Sequence, residues 1–136
     1  MEFFKINGKS YNVLVTSIEE NFNILYSENT GRTIDGRITL DPIGTFFGHK
    51  VTCIRKKGYE KDFDDLYELL TIPRRVEEEE DALLFEVAHL QDSIAYRGYV
   101  SNGIRPLIKI DEKQNKIHWG EFTMNIIPIR AQVTPE

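Results

Sequence analysis

The chain has 136 residues, which suits one domain that buries a core without disulfides or metal ions. Hydrophobic residues make up 40% and charged residues 29%, a globular composition that argues against a disordered chain. Lysine and arginine number 17 against 22 aspartate and glutamate residues, and the net charge of -5 argues against general nucleic-acid binding, although DNA could still pass through an acidic channel without adhering.

Short strands and turns are predicted for the first half of the chain. Phe3–Ile6 forms a strand, and Asn7-Gly8 is the pair typical of a two-residue hairpin turn. Residues 27–36 are rich in turn formers and charge, which predicts an exposed loop or a mobile hairpin tip. Gly48 is the expected turn between two later strands. The other strands predicted here are Tyr11–Ser17, Phe22–Tyr26, Arg37–Thr45 and His49–Lys56.

One helix is predicted, at Lys61–Leu70, where apolar residues recur at helical spacing and form one stripe. Asp62 is the expected N-cap and Pro73 ends the helix. The acidic run Glu77–Asp81 follows and is most simply a solvated loop, because it has neither the alternating ligands nor the glycine of a calcium loop.

The second half returns to strands, at Leu83–His89, Ile94–Ser101 and Ile104–Ile110, with a turn at Asn102-Gly103. Lys116–Arg130 reads as one long closing strand in which buried and exposed residues alternate from Phe122 onwards. A strand of this length needs a neighbour along its edge, for which another subunit is one candidate.

The order of elements predicts a mainly β fold, a β-sandwich or half-barrel, with one flanking α-helix. No internal repeat or linker divides the chain, so residues 1–136 are expected to form a single domain.

Cys53 is the single cysteine, so no internal disulfide can form, and its apolar surroundings predict a buried, unreactive thiol. A lone free thiol suits a reducing cytoplasm. The start of the chain lacks the features of a signal peptide, and no apolar stretch reaches the length of a transmembrane helix. We therefore expect synthesis in the cytoplasm and no membrane contact.

Motifs that carry chemistry are missing from the sequence. His49, His89 and His118 lie far apart and have no ligand-like neighbours at zinc spacing, which favours structural roles and leaves a site assembled in space as the alternative. Phosphate-binding glycine loops and the serine nucleophile elbow are also missing. These observations favour a protein that is not an enzyme and that uses no metal or cofactor.

Two further features have alternative interpretations. Trp119 is either a core residue or, if exposed, an anchor in an interface. Basic residues gather around one predicted hairpin, either to keep an exposed edge soluble or to contact the acidic run 77–81 of another subunit. These basic residues are Arg37, Lys50, Arg55, Lys56 and Lys57.

Six segments, spread over nearly the whole chain, carry a resemblance to a known family. They are F-F-K-I-N-G-K-S-Y, E-N-T-G-R-T-I-D-G-R, G-H-K-V-T-C-I-R-K-K-G, the helix D-F-D-D-L-Y-E-L-L followed by a proline, A-Y-R-G-Y-V-S-N-G-I-R-P-L and H-W-G-E-F-T-M-N-I-I-P-I-R-A-Q. In order and style these segments resemble small tail proteins of bacteriophages and prophages, chiefly those of Gram-positive hosts.

The resemblance implies a virion structural protein of the tail-tube or distal-tail (baseplate) type. Members form rings, typically six-fold, whose sheets join into a barrel around a channel, so the implied partners are identical copies, other tail proteins and DNA as transient cargo. The loop 27–36 would reach a neighbouring subunit. The implied location is the virion tail, after synthesis in the host cytoplasm. The expected interface residues are Asn29, Arg32, Asp35, Arg37 and Trp119.

Two other functions stay open at this point. One is a small β-barrel that binds a ligand or a partner without catalysis, and the other is an enzyme whose site is assembled from scattered residues. A concave pocket with two convergent titratable groups favours the enzyme, whereas a long exposed edge flanked by apolar residues favours assembly.

Overall fold

The computed structural model describes residues 4–28 and 30–135 of the chain. In these ranges the regular elements are β1 (Phe4–Ile6), β2 (Val13–Tyr26), β3 (Gly31–Arg32), β4 (Ile38–Thr39), β5 (Pro42–Arg55), α1 (Glu60–Thr71), a 3-10 turn (Glu79–Asp81), β6 (Leu83–His89), β7 (Asp92–Ile104), β8 (Leu107–Asp111), β9 (Lys116–Trp119) and β10 (Phe122–Pro128). The prediction of a mainly β fold with one α-helix is confirmed. No helix of the described residues is long and apolar enough to cross a membrane.

Six strands form one antiparallel sheet in the order β1-β6-β7-β10-β5-β2, and the pairs β3-β4 and β8-β9 form two small sheets. The Asn7-Gly8 turn is present, since both residues have positive φ and the backbone N–H of Ile6 donates to the carbonyl of Lys9 at 3.0 Å. The turn does not pair β1 with the strand that follows it. β1 instead pairs with β6, which places the two strands joined by this turn at opposite edges of the sheet.

β10 occupies the centre of the main sheet, between β5 and β7. The predicted alternation is confirmed, because Phe122, Met124 and Ile126 are buried while Glu121 between the two last strands is exposed. The prediction of one closing strand with an unpaired edge is wrong. β9 pairs with β8 in a separate hairpin, and β10 has a neighbour from its own chain on each side.

The break between β9 and β10 falls at Gly120. The backbone N–H of Gly120 donates to the carbonyl of Pro106 at 2.7 Å, so this residue bonds to the segment that precedes β8 and not to the main sheet. Glu121 then leads the chain from the small hairpin into the large sheet. A strand pattern in the sequence does not show which sheet the strand joins, which explains why the sequence predicted a single strand.

Two glycines that were predicted as turns lie inside strands. Gly48 lies within β5, where an added Cβ atom would approach the side-chain oxygen of Asn21 to 2.6 Å. Gly103 lies within β7, where a Cβ atom would approach the carbonyl oxygen of Thr123 to 2.9 Å. Glycine at these positions permits close approach of the neighbouring strand. The predictions of turns at Gly48 and at Asn102-Gly103 are therefore wrong.

The core lies on one face of the curled sheet and is covered by α1. Phe63 and Leu66 of the helix are buried, and the rings of Phe63 and Tyr67 meet the ring of Phe122 edge-on at centroid distances of 6.4 and 5.1 Å. The predicted apolar stripe of the helix is thereby confirmed. Cys53 is buried in this core, and burial raises the pKa of its thiol to about 12.

The helix begins one residue earlier than predicted and has a different N-cap. Tyr59 occupies the N-cap position and makes no side-chain capping bond. The carboxylate of Asp62, the expected cap, accepts hydrogen bonds from the backbone and side-chain nitrogens of Asn12 at 3.2 and 3.0 Å. Asp62 therefore ties the start of α1 to the segment before β2.

Arg105 fixes the base of the β8-β9 hairpin to the helix. Its side chain is 8% exposed, and its guanidinium carbon lies 3.9 Å from the centre of the Tyr67 ring and 4.4 Å from that of Trp119. It also donates to the carboxylate of Asp64 at 2.9 Å. A planar cation between two rings makes contacts that lysine cannot reproduce.

We expect Arg105→Ala to lower the free energy of unfolding by about 2 kcal/mol, because desolvated cation–π contacts and a charged hydrogen bond are lost together. Urea unfolding monitored by circular dichroism measures the change. Arg75→Ala is the control, since Arg75 is largely exposed, and should stay within about 0.5 kcal/mol of the unmodified protein. Equal stabilities of the two variants would contradict this role of Arg105.

Candidate functional site

The most extended feature of the molecule is the hairpin of β2 and β5. Each strand has 14 residues, and they pair from Val13 with Arg55 to Tyr26 with Pro42. We call residues 22–46 the arm, which carries the small β3-β4 sheet at its tip. Apolar side chains exposed on the arm are Phe22, Ile24, Leu25, Tyr26, Ile34, Ile38, Leu40 and Ile43.

The base of the arm is held by the C-terminal segment. The backbone N–H of Thr45 donates to the carbonyl of Val133 at 2.9 Å. The side-chain amide of Gln132 makes two bonds to Phe47, donating to its carbonyl and accepting from its N–H, both at 3.0 Å. The arm therefore leaves the body of the protein in a defined direction.

Three of the expected interface residues come together at the tip of the arm. Arg32 donates to the carbonyl of Gly36 at 2.9 Å, and Asp35 accepts from the Thr33 hydroxyl and from the backbone N–H of Arg37. The hydrogen bond from Thr33, followed by that from Arg37, lowers the pKa of the Asp35 carboxyl. These contacts order the turn and leave its charged side chains exposed. Asn29, a fourth expected interface residue, lies outside the described residues.

Trp119, the fifth expected interface residue, lies at the other end of the molecule. It is partly buried, packs against the core and faces the guanidinium of Arg105. Its carbonyl accepts a hydrogen bond from Arg55 at the end of β5. The structure therefore does not bring Trp119 together with the tip of the arm, and its role in an interface stays a prediction.

The β8-β9 hairpin forms a second apolar projection. Because Arg55 binds Trp119, this hairpin lies at the end of β5 that is remote from the arm. A strand of 14 residues spans about 45 Å at the usual rise per residue. Apolar side chains exposed on or beside this hairpin are Ile104, Leu107, Ile108, Ile110 and Ile117.

β2 also forms one edge of the main sheet. In the described part of the chain, no strand pairs with its outer edge. A groove of about 550 Å³ runs beside the first half of this strand. It is lined by Phe4, Tyr11, Val13, Ile18 and Ala88, among other residues, so it lies between β2 and the opposite edge of the sheet.

A hydrogen-bonded cluster that the sequence did not predict joins β2 to β6. One carboxylate oxygen of Glu20, on β2, accepts from Nε2 of His49 at 3.0 Å and from Nδ1 of His89 at 2.6 Å. Nδ1 of His49 is 2.8 Å from the hydroxyl of Tyr96. The ring of Phe47 packs against His89 at a centroid distance of 4.8 Å. We call Glu20, His49, His89 and Tyr96 the histidine cluster.

Burial governs the protonation of this cluster. His49 is 1% exposed, and its desolvation lowers the pKa of the ring, against the opposing hydrogen bond and charge of Glu20. Desolvation acts to raise the pKa of Glu20, but hydrogen bonds from His89 and His49 outweigh it and the pKa is lowered. Burial also raises the pKa of Tyr96, which therefore stays a hydroxyl.

The ring of His49 is held between two members of the cluster. His49 uses both ring nitrogens on protein partners, and the described residues contain no group of three or more acidic, histidine or cysteine side chains that could hold a metal ion. His118 lies apart, on β9. In the sequence, Glu20 and His49 are 29 residues apart and Glu20 and His89 are 69 apart. The register of β2 with β5 places Glu20 opposite His49, and the curl of the sheet brings it to His89.

The predicted basic hairpin is spread along the molecule. Arg37 lies in the arm, Lys50 in the middle of β5 and Arg55 at its far end. In the acidic run, Glu79 forms an ion pair with Arg130 at 3.0 Å. A contact between the basic residues and the acidic run of another subunit stays a prediction.

Comparison with known proteins does not identify a family. No protein-family model matches the chain, and no curated protein matches it. The functional argument therefore depends on the sequence and on the geometry described above.

We expect Tyr96→Phe to lower the free energy of unfolding by about 1–3 kcal/mol, because it removes the hydrogen bond between the Tyr96 hydroxyl and the buried Nδ1 of His49. Tyr99→Phe is a matched control on the same strand, since Tyr99 is exposed, and should change stability by less than about 0.5 kcal/mol. Urea unfolding near neutral pH compares the two variants. A Tyr96→Phe protein as stable as the control would show that the hydroxyl is not needed.

Proposed function

We propose that this chain is a virion structural protein of a bacteriophage or prophage tail that assembles into rings of the tail tube or baseplate around a DNA channel. It acts by shape and without catalysis. The observation that carries the proposal is the pair of apolar projections, the arm and the β8-β9 hairpin, at opposite ends of β5. The resemblance of the six sequence segments to tail proteins supplies the identity of the assembly.

Two different apolar surfaces on one subunit favour a head-to-tail contact. A symmetric dimer would use the same surface twice, whereas a head-to-tail contact joins one surface to the other and generates a ring when the rotation closes. Exposed contiguous apolar surface on a soluble protein commonly marks such a contact. The arm extends away from the core and is therefore suited to reach the hairpin end of a neighbouring copy.

The outer edge of β2 supports the same proposal. A long unpaired edge is a site at which another strand adds through backbone hydrogen bonds, and closure of a ring removes such edges. The partner strand would come from an identical copy and would add along residues 22–26 of β2, because the described strands of the same chain leave this part of the edge free and Glu20 joins the preceding part to β6. Joined in this way, the sheets of successive subunits would form a continuous barrel.

The charge of the chain suits a channel for DNA. The net charge of -5 repels the phosphate backbone, so DNA would pass without being retained. The proposed partners are identical copies and other tail proteins, and the proposed location is the virion tail. The buried free thiol of Cys53 is compatible with synthesis in a reducing host cytoplasm.

Assembly is tested by light scattering coupled to size-exclusion chromatography over a range of concentrations, with electron micrographs of the largest species. We expect a closed ring, typically six-fold, from the purified protein or after mixing with neighbouring tail proteins. A strict monomer at high concentration, with no rings in the presence of those tail proteins, would contradict the proposal.

The contribution of the arm is tested by Phe22→Lys. Phe22 is 68% exposed, so the change should leave stability within about 0.5 kcal/mol. If a neighbour covers this ring, its loss should raise the dissociation constant at least about tenfold, since burying a phenylalanine contributes about 1.5–3 kcal/mol. Leu90→Lys is the control, because Leu90 is 85% exposed in the β6-β7 turn. Equal assembly of both variants would exclude the arm from the interface.

The tip of the arm is tested by the double variant Arg32→Ala and Asp35→Ala. Both side chains are exposed, so we expect the fold to remain intact and assembly to weaken. Circular dichroism and light scattering on one sample separate the two effects. Unchanged assembly together with a loss of the fold would show that these side chains stabilise the turn at the tip and do not contact a neighbouring subunit.

The groove beside β2 favours a second candidate, a small module that binds a ligand or partner without catalysis. Its volume of about 550 Å³ lies within the range of small-molecule sites. The same chromatography distinguishes the two functions, since a binding module stays monomeric at every concentration and its behaviour does not change in Phe22→Lys.

A further inference from the structure

The main sheet curls until strands from its two ends touch through side chains. β2 is an edge strand, and β7, β10 and β5 separate it from β6 in the sheet order. The carboxylate of Glu20 on β2 nevertheless lies 2.6 Å from His89 at the end of β6. This hydrogen bond crosses a seam at which the backbone ladder is incomplete.

The same oxygen of Glu20 joins a second histidine and, through it, a fourth strand. His49 on β5 donates to Glu20 at 3.0 Å and meets Tyr96 of β7 through its other ring nitrogen. The side chain of Glu20 is 32% exposed, while that of His49 is fully buried. One carboxylate therefore links β2 with β5, β6 and β7 at the position where β2 leaves the core and enters the arm.

The hydrogen bonds are all satisfied when Glu20 is ionised and the histidines are neutral. Nε2–H of His49 and Nδ1–H of His89 then donate to the carboxylate, and the Tyr96 hydroxyl donates to Nδ1 of His49. A proton added to His49 makes both of its ring nitrogens donors and places a charge on a fully buried ring, and the Tyr96 hydroxyl must then turn to accept from Nδ1–H. A proton added to Glu20 removes the charge that both histidines share.

We propose that Glu20, His49 and His89 form an acid-released clasp, which holds β2 against β6 near neutral pH and lets the seam open when the cluster is protonated. The clasp lies within one chain, so it goes beyond the proposed assembly and does not depend on it. The opening would separate the first half of β2, beside which the groove runs, from the opposite edge of the sheet.

The groups that face the clasp come from all the strands packed around it. They are Glu20 from β2, His49 from β5, His89 from β6 and Tyr96 from β7, with the exposed Asp92 of β7 opposite His89 in the ladder. Tyr96 stays protonated throughout the acid range, since burial raises its pKa. Protonation of the cluster on acidification is therefore followed at His49 and Glu20.

The direction of the pH effect follows from the lowered pKa values. His49 and Glu20 both bind a proton less readily in the closed seam than when exposed, because burial lowers the pKa of His49 and hydrogen bonds to the histidines overcome burial at Glu20. Their stabilising contribution is therefore complete above the ordinary histidine value of 6.5. It decreases first as His49 titrates below 6.5, and further as Glu20 titrates below its ordinary value of 4.5.

The test is hydrogen exchange measured by mass spectrometry at about pH 7.5 and about pH 5.5, on either side of the ordinary histidine pKa. Exchange is corrected for the intrinsic effect of pH. We expect the protection of residues 13–20 to fall about tenfold in acid. The lower pH lies about one unit below the ordinary histidine pKa, and each unit of titration changes an equilibrium about tenfold. Protection of the central strand, residues 122–128, should hold. If protection of residues 13–20 does not change with pH, or falls by the same factor as protection of residues 122–128, the proposal is overturned.

Glu20→Gln tests the link between β2 and β6. The amide cannot carry the charge, so residues 13–20 should already be weakly protected at about pH 7.5, while the acid loss that burial of His49 causes should remain. Glu19→Gln is the matched control, because Glu19 is the exposed neighbour on the opposite face of the same strand, and it should respond as the unmodified protein does. A Glu20→Gln protein that protects residues 13–20 as well as the Glu19→Gln control does at about pH 7.5 would overturn the assignment.

A measurement on the unmodified protein covers the case in which Glu20→Gln fails to fold. The ring signals of His49 can be followed by NMR over the same pH range. We expect them to titrate below pH 6.5, the ordinary value, with protection of residues 13–20 beginning to fall at a higher pH than the midpoint of the ring. A ring that titrates at or above the ordinary value would overturn the proposal.

Discussion

The fold depends on the insertion of β10 between β5 and β7. Its ladders join residues far apart in the chain, such as Phe122 with Cys53 and Thr123 with Ile104. Its inward residues, among them Met124, lie at the centre of the core under α1. Since β10 is also the last strand of the chain, the β2-β5 hairpin and the β6-β7 hairpin can join into one sheet only after nearly the whole chain is available. Such non-local pairing is typical of folds that form slowly.

The position of β10 also determines what remains exposed. With the centre of the sheet filled, β2 becomes an edge, and only the second half of β5, including Val51 and Cys53, contributes to the core. The first half of β5 continues past the core with β2 as the arm. Apolar residues on the arm and on the β8-β9 hairpin therefore have no cover within the described chain, and this supports an assembled function for the protein.

Side-chain hydrogen bonds replace backbone pairing where the curled sheet does not close. The seam between β2 and β6 is crossed by Glu20, which satisfies the buried ring of His49 and reaches His89. A neutral apolar contact there would hold the strands at any pH. An ionised carboxylate shared by two imidazoles holds them only while its protonation state is kept, and this links the closure of the sheet to acidity.

The sequence by itself determined the fold class, the strand Leu83–His89, the stripe of the helix and the alternation of β10, because these depend on periodicity within one element. Only the tertiary structure decided the pairing of β1 with β6, the break between β9 and β10 at Gly120 and the continuation of β5 through Gly48 without a turn. Each depends on which strand lies alongside, and a local pattern holds no information about that. The histidine cluster is the clearest case, since its members come from four strands and meet only because the sheet curls.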